Sequence, residues 1–172
     1  MVVDIQERLM RVIDEKDRVV KNSVLLIKTA KTLNIPIIST TQYADKIGGL
    51  LPEISAELGS LPATDKMEFS CFNNQDVKNG IDGLNNGIDT LIVCGVETHI
   101  CIYQTVLGGL INDFRVWVPA DAVSSRTKEN YATGLDRIRE VGGIIANTEL
   151  IIYELLQKAG TPEFKQLLPF LK

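Results

Sequence analysis

The chain has 172 residues, 45% hydrophobic and 23% charged, a globular balance that excludes a disordered or fibrous polypeptide. Lys and Arg number 18 against 22 Asp and Glu, a net charge of -4 that argues against nucleic acid as a partner, since phosphate binding needs clustered cations. The longest apolar runs, such as LIVCGV and VGGIIA, span six residues, against the roughly 20 a membrane span needs.

MVVDI reads as a first strand. Asp17 to Asn34 follows as a helix, with Val20, Val24, Ile27, Ala30 and Leu33 at helical spacing. IPIISTTQY is a β-branched strand opened by Pro36, and IGGLLPEIS reads as a loop rich in Gly and Pro. ATDKMEFS is a weaker third strand, and Gln75 to Leu84 a short helix. DTLIVCGV is the strongest strand, apolar on both faces as a central parallel strand should be. Thr98 to Phe114 is a helix, RVWVPAD a strand, Lys128 to Val141 a helix and GGIIANT a last strand. Two helices close the chain, the second opened by Thr161-Pro162.

This repeated βαβ pattern predicts a single α/β domain over residues 1–172, a parallel sheet covered by helices on both faces with right-handed crossovers. The first strand has only three residues before Asp4, where a central strand usually has five or six. That points either to a start later than in related chains or to a missing upstream segment. No basic segment followed by an apolar one opens the sequence, and the three cysteines are too few and odd in number for a disulfide framework. Both observations place the protein in the cytoplasm.

In an open parallel sheet, ligands bind beyond the carboxyl ends of the strands. Asp4 ends the first strand, Lys66 the third, and GVETHIC leads from the fourth into a helix whose first turn holds Cys101. Singly, such residues are most often a turn, a solvated lysine and a buried thiol. Together they bring a carboxylate, an ammonium and a thiol to one edge. A helix N-terminus and a nearby cation favour the thiolate. Asp4 is then the base that takes the thiol proton and returns it to a leaving group, and Lys66 holds Asp4 in place.

VVDIQ, DKMEFSCF and GVETHIC, with TTQYADKIGGLLPEI and PADAVSSR, resemble the isochorismatase-like cysteine hydrolase superfamily over essentially the whole chain. The resemblance implies a Rossmann-like three-layer α/β/α fold whose six-stranded, mostly parallel sheet runs 3-2-1-4-5-6. It carries the catalytic triad onto Asp4, Lys66 and Cys101. It also implies a cis peptide at Val96–Glu97, with the backbone N–H groups of Glu97 and Cys101 turned toward a developing oxyanion. Family nicotinamidases hold a metal through an Asp and two or more His. With His99 the sole histidine, neither that metal nor any other cofactor is expected. Family isochorismatases carry a small residue in place of the cysteine, so Cys101 argues against isochorismate and for a covalent route to small C–N (amide or carbamoyl) substrates. The family commonly forms homo-oligomers. The competing reading is a catalytically silent oligomeric interaction module on the same fold.

Weaker pocket candidates are Gln6, on the same side of the first strand as Asp4, and Tyr43, Phe69 and Phe72, in loops over the crevice. His99 lies two residues before Cys101, on the same helical turn, and could line the pocket. Cys71, Cys94 and Trp117 read as structural. Asp121, Ser124 and Ser125 read as caps for the helix that follows them.

Overall fold

The computed structural model describes residues 1–84 and 87–171. The elements run β1 (Val2–Val3), α1 (Lys16–Thr32), β2 (Ser39–Gln42), α2 (Ala44–Ile47), α3 (Pro52–Leu58), β3 (Ala63–Lys66), α4 (Gln75–Asp82), β4 (Thr90–Ile92) and β5 (Cys94–Val96). A π-helical turn (Thr98–Ile102) leads into α5 (Tyr103–Ile111). Then come β6 (Arg115–Pro119), β7 (Val123–Ser124), α6 (Lys128–Glu140), β8 (Ile144–Ala146), α7 (Thr148–Leu156) and α8 (Pro162–Leu167).

All strand pairs are parallel, in one sheet of order β3-β2-β1-β5-β7 and another of order β4-β6-β8. Among the described residues, eight short strands in two sheets thus replace the six strands of one sheet expected from the sequence. The fourth run divides at Val93, yet its hydrogen bonding continues: Val93 N–H donates to the Trp117 carbonyl (2.9 Å) and Cys94 N–H to that of Met1 (3.0 Å). The fifth run is interrupted by a 3-10 turn at Ala120–Ala122. Pro119 lacks an N–H for the ladder, and the Ala120 and Asp121 carbonyls accept from Arg18 Nη1 (3.1 Å), Tyr131 Oη (2.8 Å) and Asn22 Nδ2 (2.8 Å). Followed through these interruptions, β4 with β5 and β6 with β7 occupy the fourth and fifth places of the expected order.

The helical expectations hold with shifted ends. IGGLLPEIS is the exception: Pro52, its φ preset for a first helical position, opens α3, which buries Ile54 and Leu58 one turn apart. In α1 the buried stripe runs through Val19, Ser23, Leu26 and Ile27, while Val20, Val24 and Leu33 are only partly covered. The helix packs on the sheet and on α7 and α8, so two of its faces carry apolar residues. Thr161 caps α8 by accepting from Phe164 N–H (3.1 Å). At Gly95 (φ +118°) a Cβ would lie 2.0 Å from the Val3 carbonyl oxygen, so only glycine lets β5 lie in register beside β1.

Candidate active site

β1, β3 and β5 end at the same edge of the sheet. Asp4 leaves β1 in the left-handed region (φ +55°), which Asp tolerates better than most residues, and Gln6 N–H closes the turn on the Asp4 carbonyl (2.9 Å). Lys66 is the last residue of β3. After β5 the Val96–Glu97 peptide is cis. The Glu97 carbonyl then accepts from the N–H groups of Ile100 (3.0 Å) and Ile102 (3.2 Å), shaping the π-helical turn that contains Cys101.

The Lys66 ammonium donates to Asp4 Oδ2 (2.7 Å) and Gln42 Oε1 (2.8 Å), and Thr40 Oγ1 donates to Asp4 Oδ1 (2.8 Å). All four side chains are buried. Opposite charges withdrawn from water in this way are tolerated only when paired and hydrogen-bonded. Cys101 is 6% exposed and packs in the same apolar cluster as Val3 and Cys71.

Burial pushes the Cys101 thiol well above the usual cysteine range. The Asp4 charge adds to the rise, and the Lys66 cation only partly offsets it. The resting sulfur therefore keeps its proton, beside a carboxylate able to take it. The helix N-terminus and the cation, expected to favour the thiolate, do not prevail here. Cys101 lies in a π-helical turn rather than the first turn of an α-helix, and desolvation outweighs the cation.

The weaker candidates separate. Tyr43 (38% exposed) and Phe69 (53% exposed) lie just beyond β2 and β3, at the edge of the sheet where Asp4 and Lys66 sit. Phe72, at 8%, belongs instead to the core, against Gly108 and the Phe114 ring 6.1 Å away. Gln6 is fully buried. Its amide donates to the Gln42 (3.1 Å) and Gly48 (2.6 Å) carbonyls and accepts from Gln42 N–H (2.7 Å). His99 is half-buried, its Nδ1 2.9 Å from Ser125 Oγ.

The residues read as caps act elsewhere. Thr127 caps α6, Asp121 Oδ1 accepts from Thr148 N–H and Oγ1 at the start of α7 (2.8 Å each), and Ser124 Oγ donates to the Asp14 carbonyl (2.7 Å). Cys71 and Cys94 are buried free thiols.

Three participants carried no signal when residues were sought singly. Thr40 and Gln42 support the Asp4–Lys66 pair, and Arg126 grips Glu97, with Nη2 2.6 Å from Oε1 and its own N–H 2.9 Å from Oε2. Burial pushes the Glu97 carboxyl up, but the Arg126 hydrogen bonds and charge, with His99, hold it below the usual carboxylate range. The missed signal for the first two was STTQ itself: four polar residues in an interior strand require buried partners.

A cavity of about 410 Å³ opens at the opposite ends of the strands, lined by Met1, Ile35, Ile37, Thr90, Ile92 and Cys94, and includes none of Asp4, Lys66 and Cys101. Among the described residues, no three His, Cys, Asp or Glu side chains are grouped to hold a metal ion, and no helix is long and apolar enough to cross a membrane.

The isochorismatase domain model matches residues 1–149. A secreted isochorismatase effector of Phytophthora sojae is 35% identical over 174 residues, covering 99% of this chain and 82% of that protein. A structure of MAR1 ribonuclease from Caenorhabditis elegans superposes with a TM-score of 0.91 at 28% identity, over 99% of this chain and 86% of the other. The Escherichia coli YcaC product, described as an octameric hydrolase of unknown specificity, superposes with a TM-score of 0.90 at 24% identity, over 99% and 84%.

Proposed function

The chain belongs to the isochorismatase family, and from that premise we propose that it is a cysteine hydrolase of small carbonyl compounds, cleaving C–N bonds of amide or carbamoyl type. The observation that carries this reading is one buried base whose charge acts on one buried thiol: Asp4, fixed by Lys66 and Thr40, at the same edge of the sheet as Cys101.

The chemistry follows from that pairing. Cys101 Sγ attacks the carbonyl carbon as its proton passes to Asp4. The carbonyl electrons move to oxygen, which the backbone N–H groups of Glu97 and Cys101 stabilise. When the carbonyl re-forms, the C–N bond breaks and Asp4 returns the proton to the departing amine, leaving a thioester. Water then attacks the thioester, giving a proton to Asp4. The C–S bond breaks, the acid is released, and the proton returns to sulfur. Lys66 keeps Asp4 oriented and balances its charge.

Residues 1–172 act as one domain in this reading. No cofactor or metal is assigned a role, and the substrate pocket is formed at Tyr43, Phe69 and His99. A neighbour in the same fold is described as octameric, and a homo-oligomer is the state we assign here. Three free thiols support a cytoplasmic location. The ribonuclease name of one structural relative does not lead us to RNA, because a net charge of -4 gives little counterion-release binding.

The test is a panel of small amides, carbamoyl compounds and a single-stranded RNA, read by ammonia, amine or nucleotide release. Turnover of a C–N substrate that vanishes in Cys101→Ala is expected. Turnover persisting in Cys101→Ala removes the nucleophile. No turnover, together with Cys101 labelling indifferent to Asp4→Asn, favours the silent interaction module.

A further inference from the structure

The Lys66 ammonium is buried at the end of β3, and a flexible four-carbon stem does not by itself fix where such a group points. The parallel register sets Gln42 of β2 directly beside Lys66, and Thr40, two residues earlier, beside Val3. Side chains two apart in a strand share a face. One face of β2 therefore presents a hydroxyl to Asp4 and an amide to Lys66.

The orientation of that amide is determined by its neighbours. Gln42 Nε2 donates to the Met67 carbonyl (2.8 Å), which only accepts, and Gln42 Oε1 accepts from the Lys66 ammonium (2.8 Å), which only donates. Exchanging the amide oxygen and nitrogen would set donor against donor and acceptor against acceptor. The backbone at this position is pinned as well, because Gln6 accepts from Gln42 N–H (2.7 Å) and donates to the Gln42 carbonyl (3.1 Å). Among the described residues Lys66 thus has two acceptors, the charged Asp4 and the neutral Gln42, leaving its third N–H unengaged.

We propose that Gln42 is a positioning residue of the cysteine site, its clamped amide holding the Lys66 ammonium so that the cation serves Asp4 and the sulfur of Cys101 together. The proposal rests on the cysteine-hydrolase reading. It explains why the position needs an amide. A carboxylate would compete with Asp4 for the ammonium, add a second negative charge to the buried pair and face the Met67 carbonyl without a donor. An apolar side chain of the same length would leave the ammonium held from one side only. The Thr40 hydroxyl performs the matching task on Asp4 from the same face.

The experiment is the rate of Cys101 alkylation by iodoacetamide as a function of pH, with the modified cysteine identified by peptide mass, in the unaltered full chain and in Gln42→Glu and Gln42→Met. In Gln42→Glu the midpoint of the profile is expected to rise by about one pH unit, equivalent to roughly tenfold slower labelling at a fixed pH below the midpoint. In Gln42→Met labelling is expected to slow about tenfold across the profile while the thermal unfolding transition remains cooperative. Packing alone would not move the midpoint for the charged variant and the rate for the neutral one. Profiles of both variants that overlay the unaltered protein overturn the proposal. Failure of both variants to fold also overturns it, since Gln42 would then be structural. Asp4→Asn separates the two levels. Labelling indifferent to Asp4 removes the cysteine-hydrolase reading itself, whereas Asp4-dependent labelling unaffected by either Gln42 variant removes this proposal alone.

Discussion

Lys66→Met tests whether the buried Asp4–Lys66 charge pair is what the geometry indicates. Lys66 Nζ and Asp4 Oδ2 are 2.7 Å apart and both side chains are shielded from water. Removing the ammonium strands a carboxylate whose remaining side-chain donor among the described residues is the Thr40 hydroxyl. Breaking a buried pair from one side costs about 3–5 kcal/mol. In a domain of this size each kcal/mol lowers Tm by about 2–4 °C, so a fall of roughly 6–20 °C is expected. Asp4→Asn, an exchange that the left-handed backbone tolerates, should fall by a similar amount, because it strands the ammonium instead.

The double variant discriminates. With both charges gone neither group is stranded, so Asp4→Asn/Lys66→Met should be more stable than the sum of the two losses allows, by about 2 kcal/mol or more. The Gln42 carbonyl oxygen loses its donor in Lys66→Met and in the double variant alike, so that contribution cancels from the coupling energy. Chemical and thermal unfolding of all four proteins at pH 7 supplies the cycle. Additivity within about 0.5 kcal/mol would refute a dry, directly paired site. Recovered stability should not restore chemistry: the double variant is expected to be as inert in amide turnover as Cys101→Ala.

Gly95→Ala should yield no folded protein by circular dichroism, because its Cβ would sit 2.0 Å from the Val3 carbonyl oxygen in the middle of the sheet; a cooperative unfolding transition in that variant would contradict the β1–β5 register. Stability should decline as pH rises above about 9. Burial pushes the Cys71, Cys94 and Cys101 thiols above their unfolded values, so the native state holds protons that the unfolded chain releases. Each contributes a slope of up to about 1.4 kcal/mol per pH unit, and Cys94→Ala should flatten the measured slope by up to one such increment. Arg126→Met should destabilise by about 1 kcal/mol at neutral pH, a small value because the guanidinium is about half exposed. Glu97 is held below the usual carboxylate range, so this difference should shrink as acid protonates Glu97 in both proteins; a difference equal at pH 7 and pH 3.5 would count against the ion pair.

The fold was legible because its signals are local and repeated. DTLIVCGV carries the continuous apolar character of a central parallel strand, RVWVPAD and GGIIANT are short β-branched runs, and Thr161-Pro162 and Lys128 to Val141 carry the punctuation of helices. What was not legible depends on distant partners. Whether Pro52 lies in a loop or opens a helix is decided by what Ile54 and Leu58 find to pack against. Whether a β-branched run stays one strand is decided by which carbonyls Arg18, Asn22 and Tyr131 capture from it. Phe72 illustrates the same limit, since an aromatic in a loop reads equally as crevice wall or as core until Gly108 and Phe114 are seen against it.

The site divides along the same line. Asp4, Lys66 and Cys101 could be named because each ends a strand or opens the helical segment after one, and the topology of a parallel sheet gathers such positions at one edge. Their support could not be named, because Thr40 and Gln42 act only through register. A one-residue slip of β2 would turn both side chains to the other face and leave Asp4 and Lys66 without them. The buried amide of Gln6 bonds the Gln42 backbone in both directions and so opposes that slip. It does for the backbone of β2 what Gln42 does for Lys66, and the position of the ammonium is thus determined two layers of hydrogen bonding away from the sulfur. A polar residue buried in a central strand is therefore better read by asking which neighbouring strand it holds in register than by asking what substrate it touches.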